Sequence, residues 1–321
     1  MKIAHLSDPH INLKYHPQHL PRLRRVLEDA LGRQSADHIV ITGDLTSNGD
    51  ARDLRAVRRL FESLGILRSS NLTVIPGNHD IYGGPHLADE LLNFPDRCKR
   101  CDYDEKLSIF QDMFAELFAG TIGSDPSQSL NPYPFLKRVR NICFLGLNSI
   151  ARHALIENPV GSNGEIPKPD RADILELVKH HAWETATERI VLLHHHLFRR
   201  KDISHLTIAD GVTGGGLVAM LEQRTLKLHG KRHVLKLFEN IGVDMVLHGH
   251  VHFTGEYTRH EITCLNSAGA IYPAEHDAGY YYHMIDLKAY HRQIEAIKLS
   301  PGSRKNTESL PDANNSIMAV A

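Results

Sequence analysis

No apolar run in this chain approaches the ~20 residues that cross a bilayer, and the first residues read as a core strand rather than a signal peptide. The expectation is a soluble, cytoplasmic protein with no membrane association. An excess of charge of one sign is also missing. Lys and Arg total 37 against 38 Asp and Glu, a formal charge of -1, so no broad basic field is present to hold extended nucleic acid. Cysteine is scarce, with four in 321 residues. Cys143 and Cys264 lie in strand-like apolar runs and read as small core residues. Cys98 and Cys101 form C-x-x-C in a polar stretch, but no second Cys or Cys/His pair at zinc-knuckle spacing follows. They read as a free or occasionally oxidised dithiol rather than a structural zinc site. Internal repeats and low-complexity tracts are absent as well.

What is present fits an ordinary globular chain, with 41% apolar and 23% charged residues and therefore a sizeable core. The length allows one large domain, expected over 1–300, with 301–321 a Ser-, Asn- and Pro-rich mobile tail. The unusual count is 23 histidines, several at abrupt ends of apolar runs, where ligands and catalytic groups are often placed.

Short β-rich runs alternate with helical patterns: Ile3 to Leu6, a helix from about Leu20 to Arg33, Ile39 to Thr42, a helix from about Ala51 to Leu64, then Leu72 to Ile75. Such repetition predicts right-handed crossovers and an α/β fold with a largely parallel sheet. From 83 to 134 the pattern loosens into a partly helical insertion around one amphipathic helix, Glu105 to Phe118. Strands resume at Ile142 to Leu147, Ile190 to Leu193 and Met245 to Leu247, with helices near Arg171 to His181 and Lys231 to Ile241. Glu261 to Asn266, Tyr280 to Leu287 and Gln293 to Leu299 follow with almost no helix between them, which predicts antiparallel strands closing a second sheet.

The chemistry sits at strand ends, where α/β sheets place ligands. The runs end in Ser7-Asp8-Pro9-His10, Thr42-Gly43-Asp44, Pro76-Gly77-Asn78-His79-Asp80, His194-His195-His196 and His248-Gly249-His250-Val251-His252. Oxygen and nitrogen donors are thereby offered to one crevice. A pair of divalent cations ~3.5 to 4 Å apart needs a shared carboxylate with neutral donors around it, and Asp44 after a glycine suits that bridge. Imidazole and carboxylate without thiolate favour Mn, Fe, Zn or Co. A water shared by two such ions is acidified toward neutrality and serves as the nucleophile, so no Ser or Cys nucleophile is required.

D-x-H, G-D, G-N-H-D, a strand-terminal His and G-H-x-H in that order resemble the calcineurin-like metallophosphoesterase superfamily, over Asp8 to His252. The resemblance implies a four-layer αββα sandwich of two mixed sheets with helices on both outer faces. It implies a first metal ion held by Asp8, His10, Asp44 and His252, and a second by Asn78, His194 and His250, with Asp44 bridging. It makes His79 a catalytic residue acting on the leaving-group oxygen or on transition-state charge, with Asp80 orienting its ring. The reaction implied is hydrolysis of a small phosphate ester, a phosphodiester such as a cyclic nucleotide or glycerophosphodiester, by a metal-bridging hydroxide. The triad departs from the family's H-H-P or H-x-P by reading His194-His195-His196-Leu197. His194 is taken as the ligand because it is the first polar residue after the apolar run, with His195 the alternative.

Each of these residues alone has a plainer explanation. A strand-end His is ordinarily a hydrogen-bonded residue, and G-D or G-N are common turn dipeptides. Joint occurrence favours the site. His5, His16, His38, His180, His181, His229 and His248 read as locally bonded or solvated, and the arginines from Arg22 to Arg25 and Arg55 to Arg59 as solvated helix faces. Two rival functions are a repair-type nuclease, which would bring a basic cap that the sequence does not show, and a non-catalytic scaffold, which would have lost ligands that are all present. Substrate selectivity falls to the loops 11–16, 81–104, 151–169 and 197–215, and the oligomeric state stays open.

Overall fold

Three strands, β1 (Lys2–Leu6), β2 (His38–Thr42) and β3 (Leu72–Ile75), pair in parallel in the order 1-2-3. The chain between them forms α1 (His19–Gly32) and α2 (Ala51–Ser63), close to the sequence pattern. Asp50 caps α2 by accepting the N–H of Arg52. The computed structural model describes residues 1–123, 132–198, 226–252, 254–267, 280–288 and 291–300. The expected tail 301–321 and most of the selectivity loop 197–215 lie outside them.

The second sheet holds β4 (Phe135–Val139), β5 (Ile142–Gly146), β6 (Glu188–Leu192), β7 (Met245–His248), β8 (Thr254–Arg259) and β9 (Ile262–Ser267) in the order 4-5-6-7-9-8. The last two strands, β10 (Tyr280–Lys288) and β11 (His291–Leu299), correct the sequence expectation. They form a hairpin that pairs antiparallel with β1, so they complete the first sheet rather than close the second. Only β9 stays in the second sheet, parallel to β7 and antiparallel to β8.

Period-two alternation explains the layering. Ile3 and Val40 point inward with Phe144, Ile190, Leu192, Met245 and Leu247 to make the layer between the sheets. Ala4, Leu6, Ile39 and Ile41 point the other way, against Leu23, Leu27, Val57 and Phe61 of α1 and α2. Cys143, Val191 and Val246 face outward under α6 (Lys168–Leu177), the single turn α7 (His181–Glu184) and α8 (Lys231–Asn240), with Cys264 in the same layer. The result is the expected αββα sandwich of two mixed sheets.

Segment 83–134 contains more helix than the sequence suggested. Besides α5 (Tyr103–Met113) and a 3-10 turn (Ala115–Phe118) it holds α4 (Ala88–Arg100). That helix escapes pattern reading because Pro95 sits inside it and Leu91 and Leu92 face solvent, while Phe94 and Cys98 form its buried side. Cys98 and Cys101 are free thiols.

Candidate metal centre

Three of the five ligand-bearing strands, β1, β2 and β7, end in backbone that L-residues rarely adopt. Asp8, His10, Asp44 and His250 all have positive φ, at 54°, 42°, 50° and 76°. Such conformations persist only where the surroundings hold them, and they concentrate at functional sites. The loops hold one another: Asp8 N–H donates to Gly43 O over 3.1 Å, and His10 N–H to Asp44 O over 2.9 Å. The glycines are required by close approach. A Cβ on Gly77 would strike the Asp44 backbone and carboxylate, and one on Gly249 would strike Ser7 and Asp8. The Asp8 carboxylate also accepts the His250 N–H, at 3.0 Å through Oδ2. That bond joins the end of β1 to the end of β7, across the two sheets.

These constraints bring the expected donors together. Asp8, His10 and His252 form one group and Asp44, His194 and His250 another, each with ligand atoms within 4.8 Å of one another. In the first group the Nε2 atoms of His10 and His252 are 3.0 Å apart, and lie 3.7 and 3.6 Å from Asp8 Oδ1. In the second, His194 Nε2 lies 3.1 Å from Asn78 Oδ1, 3.2 Å from His250 Nδ1 and 3.3 Å from Asp44 Oδ2. Asp44 stands between the groups, with Oδ2 also 3.6 Å from His10 Nε2. His195, the alternative ligand, sets its Nδ1 2.9 Å from Ser149 Oγ and belongs to none of these ligand groups.

The electrostatics mark the place as one that draws cations. Burial would raise the Asp44 carboxyl, but His194 and His79 hold it well below the usual carboxylate range. Burial would lower His194, yet Asp44 beside it pushes it up to about 9. Burial dominates at His10 and lowers it to about 4, which leaves a neutral imidazole with a lone pair to give. Oxygen and imidazole donors crowded around shared points, two buried carboxylates among them, fit divalent transition ions. Without a cation or a proton those lone pairs would face one another at a cost.

His79 is close but differently held. Its N–H donates to Asp44 Oδ1 over 2.8 Å, its ring sets Nδ1 3.2 Å from Ser47 O, and the ring packs edge-on against His10 with centroids 4.7 Å apart. One ring nitrogen also falls within a possible ligand group with His10 and Asp44. Asp80 does not orient this ring. As the third residue of the short helix α3 (Asn78–Ile81, preceding α4 in the chain), it points back to the helix start. There it accepts from Gly77 N–H (3.0 Å), Leu45 N–H (3.1 Å), Thr46 N–H (2.8 Å) and the Thr46 hydroxyl (3.0 Å). It therefore braces the Asp44 loop, and the Ser47 carbonyl, not Asp80 as the resemblance implied, faces the ring nitrogen.

Several contributors were not legible as such. Thr42 offers its carbonyl to His194 Nδ1 at 2.8 Å, a backbone role no side-chain pattern signals. Ser149 Oγ accepts the N–H groups of His194 and His195 at 3.2 Å each. Tyr257 on β8 brings its hydroxyl 2.6 Å from His248 Nε2 and accepts Leu197 N–H at 3.1 Å, clamping two ligand-bearing strand ends. His248 is thus the locally bonded residue that its sequence position suggested.

A family model described as calcineurin-like phosphoesterase matches residues 1–253. No curated protein sequence matches the chain significantly. Solved structures give distant likenesses. GAP50, the anchor in the inner membrane complex of Plasmodium, is 10% identical over 95% of this chain and 90% of its own, with a TM-score of 0.47. A putative 5'-nucleotidase from Staphylococcus aureus, in complex with alpha-ketoglutarate, is 16% identical over 94% of this chain and 55% of its own, at 0.45. A predicted phosphoesterase from Streptococcus pneumoniae is 12% identical over 92% and 88%, at 0.37. Among the described residues no helix is long and apolar enough to cross a membrane.

Proposed function

The chain belongs to the calcineurin-like phosphoesterase family, and from that premise we propose that it hydrolyses a small, soluble phosphate ester, a diester in preference to a monoester, with two divalent ions drawn from Mn, Fe, Zn and Co. The observation that carries this reading is the set of oxygen and nitrogen atoms gathered within 3.3 Å of His194 Nε2. His194 gives its Nδ1–H to Thr42 O, so its Nε2 faces them.

Asp8, His10 and His252 would hold one ion and Asn78, His194 and His250 the other, with Asp44 touching both. When bound, such a pair supplies Lewis acidity to phosphoryl oxygens and a water acidified toward neutrality. The protein's own part is positioning and proton control. Asp8 fixes the His250 backbone, and Asp80 fixes the loop that carries Asp44. His79 points its Nδ1 at Ser47 O, which leaves Nε2 for the reacting side. Protonated there, it gives that proton to the departing ester oxygen. The diester preference rests on a length and motif spacing that resemble those of cyclic-nucleotide and glycerophosphodiester enzymes.

The test is metal reconstitution followed by rate measurements on bis-p-nitrophenyl phosphate, p-nitrophenyl phosphate and cyclic nucleotides. Faster hydrolysis of the diesters is expected. A faster monoester would reverse the proposed preference, and a fully metallated protein inert to all of them would end the phosphoesterase reading.

A further inference from the structure

The His79 ring is roofed by a turn of chain from Gly83 to His86. Gly84 lies so close to the ring that a Cβ there would meet His79 Cε1 and Nδ1. What holds this roof down is a small polar network outside the metal-ligand set. Gly84 N–H donates to Ser47 O over 2.9 Å, the same carbonyl that faces His79 Nδ1 at 3.2 Å. The next residue, Asn48, meets its surroundings fully only with its amide nitrogen turned toward the roof. That nitrogen then lies 3.2 Å from Gly84 O, 3.0 Å from His86 Nε2 and 2.9 Å from Ser47 O.

The far side of His86 fixes the direction of these bonds. Asn12 Oδ1 accepts the N–H groups of Lys14 (3.1 Å) and Tyr15 (3.0 Å), so its nitrogen must be the atom 3.1 Å from His86 Nε2. An amide nitrogen has only protons to offer. His86 Nε2 is therefore an acceptor, and His86 is a neutral ring protonated on Nδ1. Asn48 can approach the same nitrogen only as a second donor. The peptide of Gly84 is thus gripped from both sides, its N–H by Ser47 and its carbonyl by Asn48, and Arg97 Nη2 adds a bond to that carbonyl at 3.0 Å.

We propose that Asn48 is a positioning residue for His79: its amide pins the Gly84 peptide and, through it, the Ser47 carbonyl that receives the His79 Nδ1–H and so keeps Nε2, the nitrogen that carries the transferred proton, toward the reacting centre. The inference rests on the reading of His79 as the leaving-group acid. It adds a residue outside the candidate ligand groups. Loss of such an outer partner costs about 10–100-fold.

Asn48→Asp replaces the donor by an acceptor facing an acceptor carbonyl and an acceptor ring nitrogen, and Asn48→Ala removes the contact. Both should keep the metal content of the wild type and lose about 10–100-fold on an alkyl phosphodiester, with a much smaller loss on the activated nitrophenyl ester. In the zinc-loaded full chain, proton–nitrogen correlation spectra should show His79, identified by its absence in His79→Asn, as the Nδ1–H tautomer. In Asn48→Ala it should be a mixture of tautomers. An unchanged tautomer overturns the proposal, and so do equal losses on the two substrates with metals retained. A wild type inactive on every ester would sink the phosphoesterase reading instead, and the spectra would still decide the role of Asn48.

Discussion

His194, at the end of a strand in the second sheet, sets its Nδ1 2.8 Å from the carbonyl of Thr42, the last residue of a strand in the first. One hydrogen bond thus fixes the tautomer of the ring and the distance between the two sheets at the site. Its Nε2 faces Asn78, Asp44 and His250, whereas the neighbouring His195 belongs to none of the ligand groups. His194→Ala should therefore lose about one of the two ions, and His195→Ala should keep both. Elemental analysis of the two variants decides it, and the reverse pattern would move the ligand to His195.

Asp44 is the residue that both ligand groups share, through Oδ2 contacts of 3.3 Å to His194 and 3.6 Å to His10. It also accepts the His79 N–H. Asp44→Ala should lower metal content and rate together, and more completely than any other single ligand change. A fully metallated, active variant would contradict the bridging assignment.

His79→Ala should retain its metals and lose rate, by about 10²- to 10⁴-fold on esters with poor leaving groups and less on activated nitrophenyl esters. Equal losses on both would replace proton donation by stabilisation of transition-state charge. Loss of metal would make His79 a ligand, an arrangement its nearness to His10 and Asp44 permits.

Away from the site, Lys137 on β4 crosses the edge of the sandwich. Its buried ammonium donates to Leu72 O at 2.9 Å and Leu117 O at 2.7 Å. Burial lowers it to about 7, while an unfolded lysine keeps its proton to about 10.4. Between these values the unfolded chain binds more protons, so this residue adds stability as pH rises, by at most about 1.4 kcal/mol per unit. The stability of the wild type relative to Lys137→Met should grow from pH 7 to 9.5. A difference that stays flat would show that Lys137 keeps its charge in the fold.

The central strands and most site residues were legible because each signal is local: a short apolar run, then an abrupt Asp, Asn or His. β3 starts and ends where the pattern put it, at Leu72 and Ile75. The edge strands β4 and β8 were not legible, since the buried Lys137 and exposed Arg138 interrupt the one while the exposed Glu256 and Thr258 interrupt the other. The sheet to which the last hairpin belongs was missed for another reason. Pairing of β10 with β1 joins residues some 280 apart, as in His5 with His283, and no local pattern encodes a partner at that distance. The orienting role that the resemblance implies for Asp80 does not hold because the turn of α3 sends the Asp80 and His79 side chains in different directions.

A two-ion centre built from both sheets is tested by the metal stoichiometry of a reconstituted, active sample, found by elemental analysis alongside its rate. Close to two transition-metal ions per chain are expected, with activity rising as the second ion is bound. Full activity with no more than one ion bound would contradict the two-ion centre.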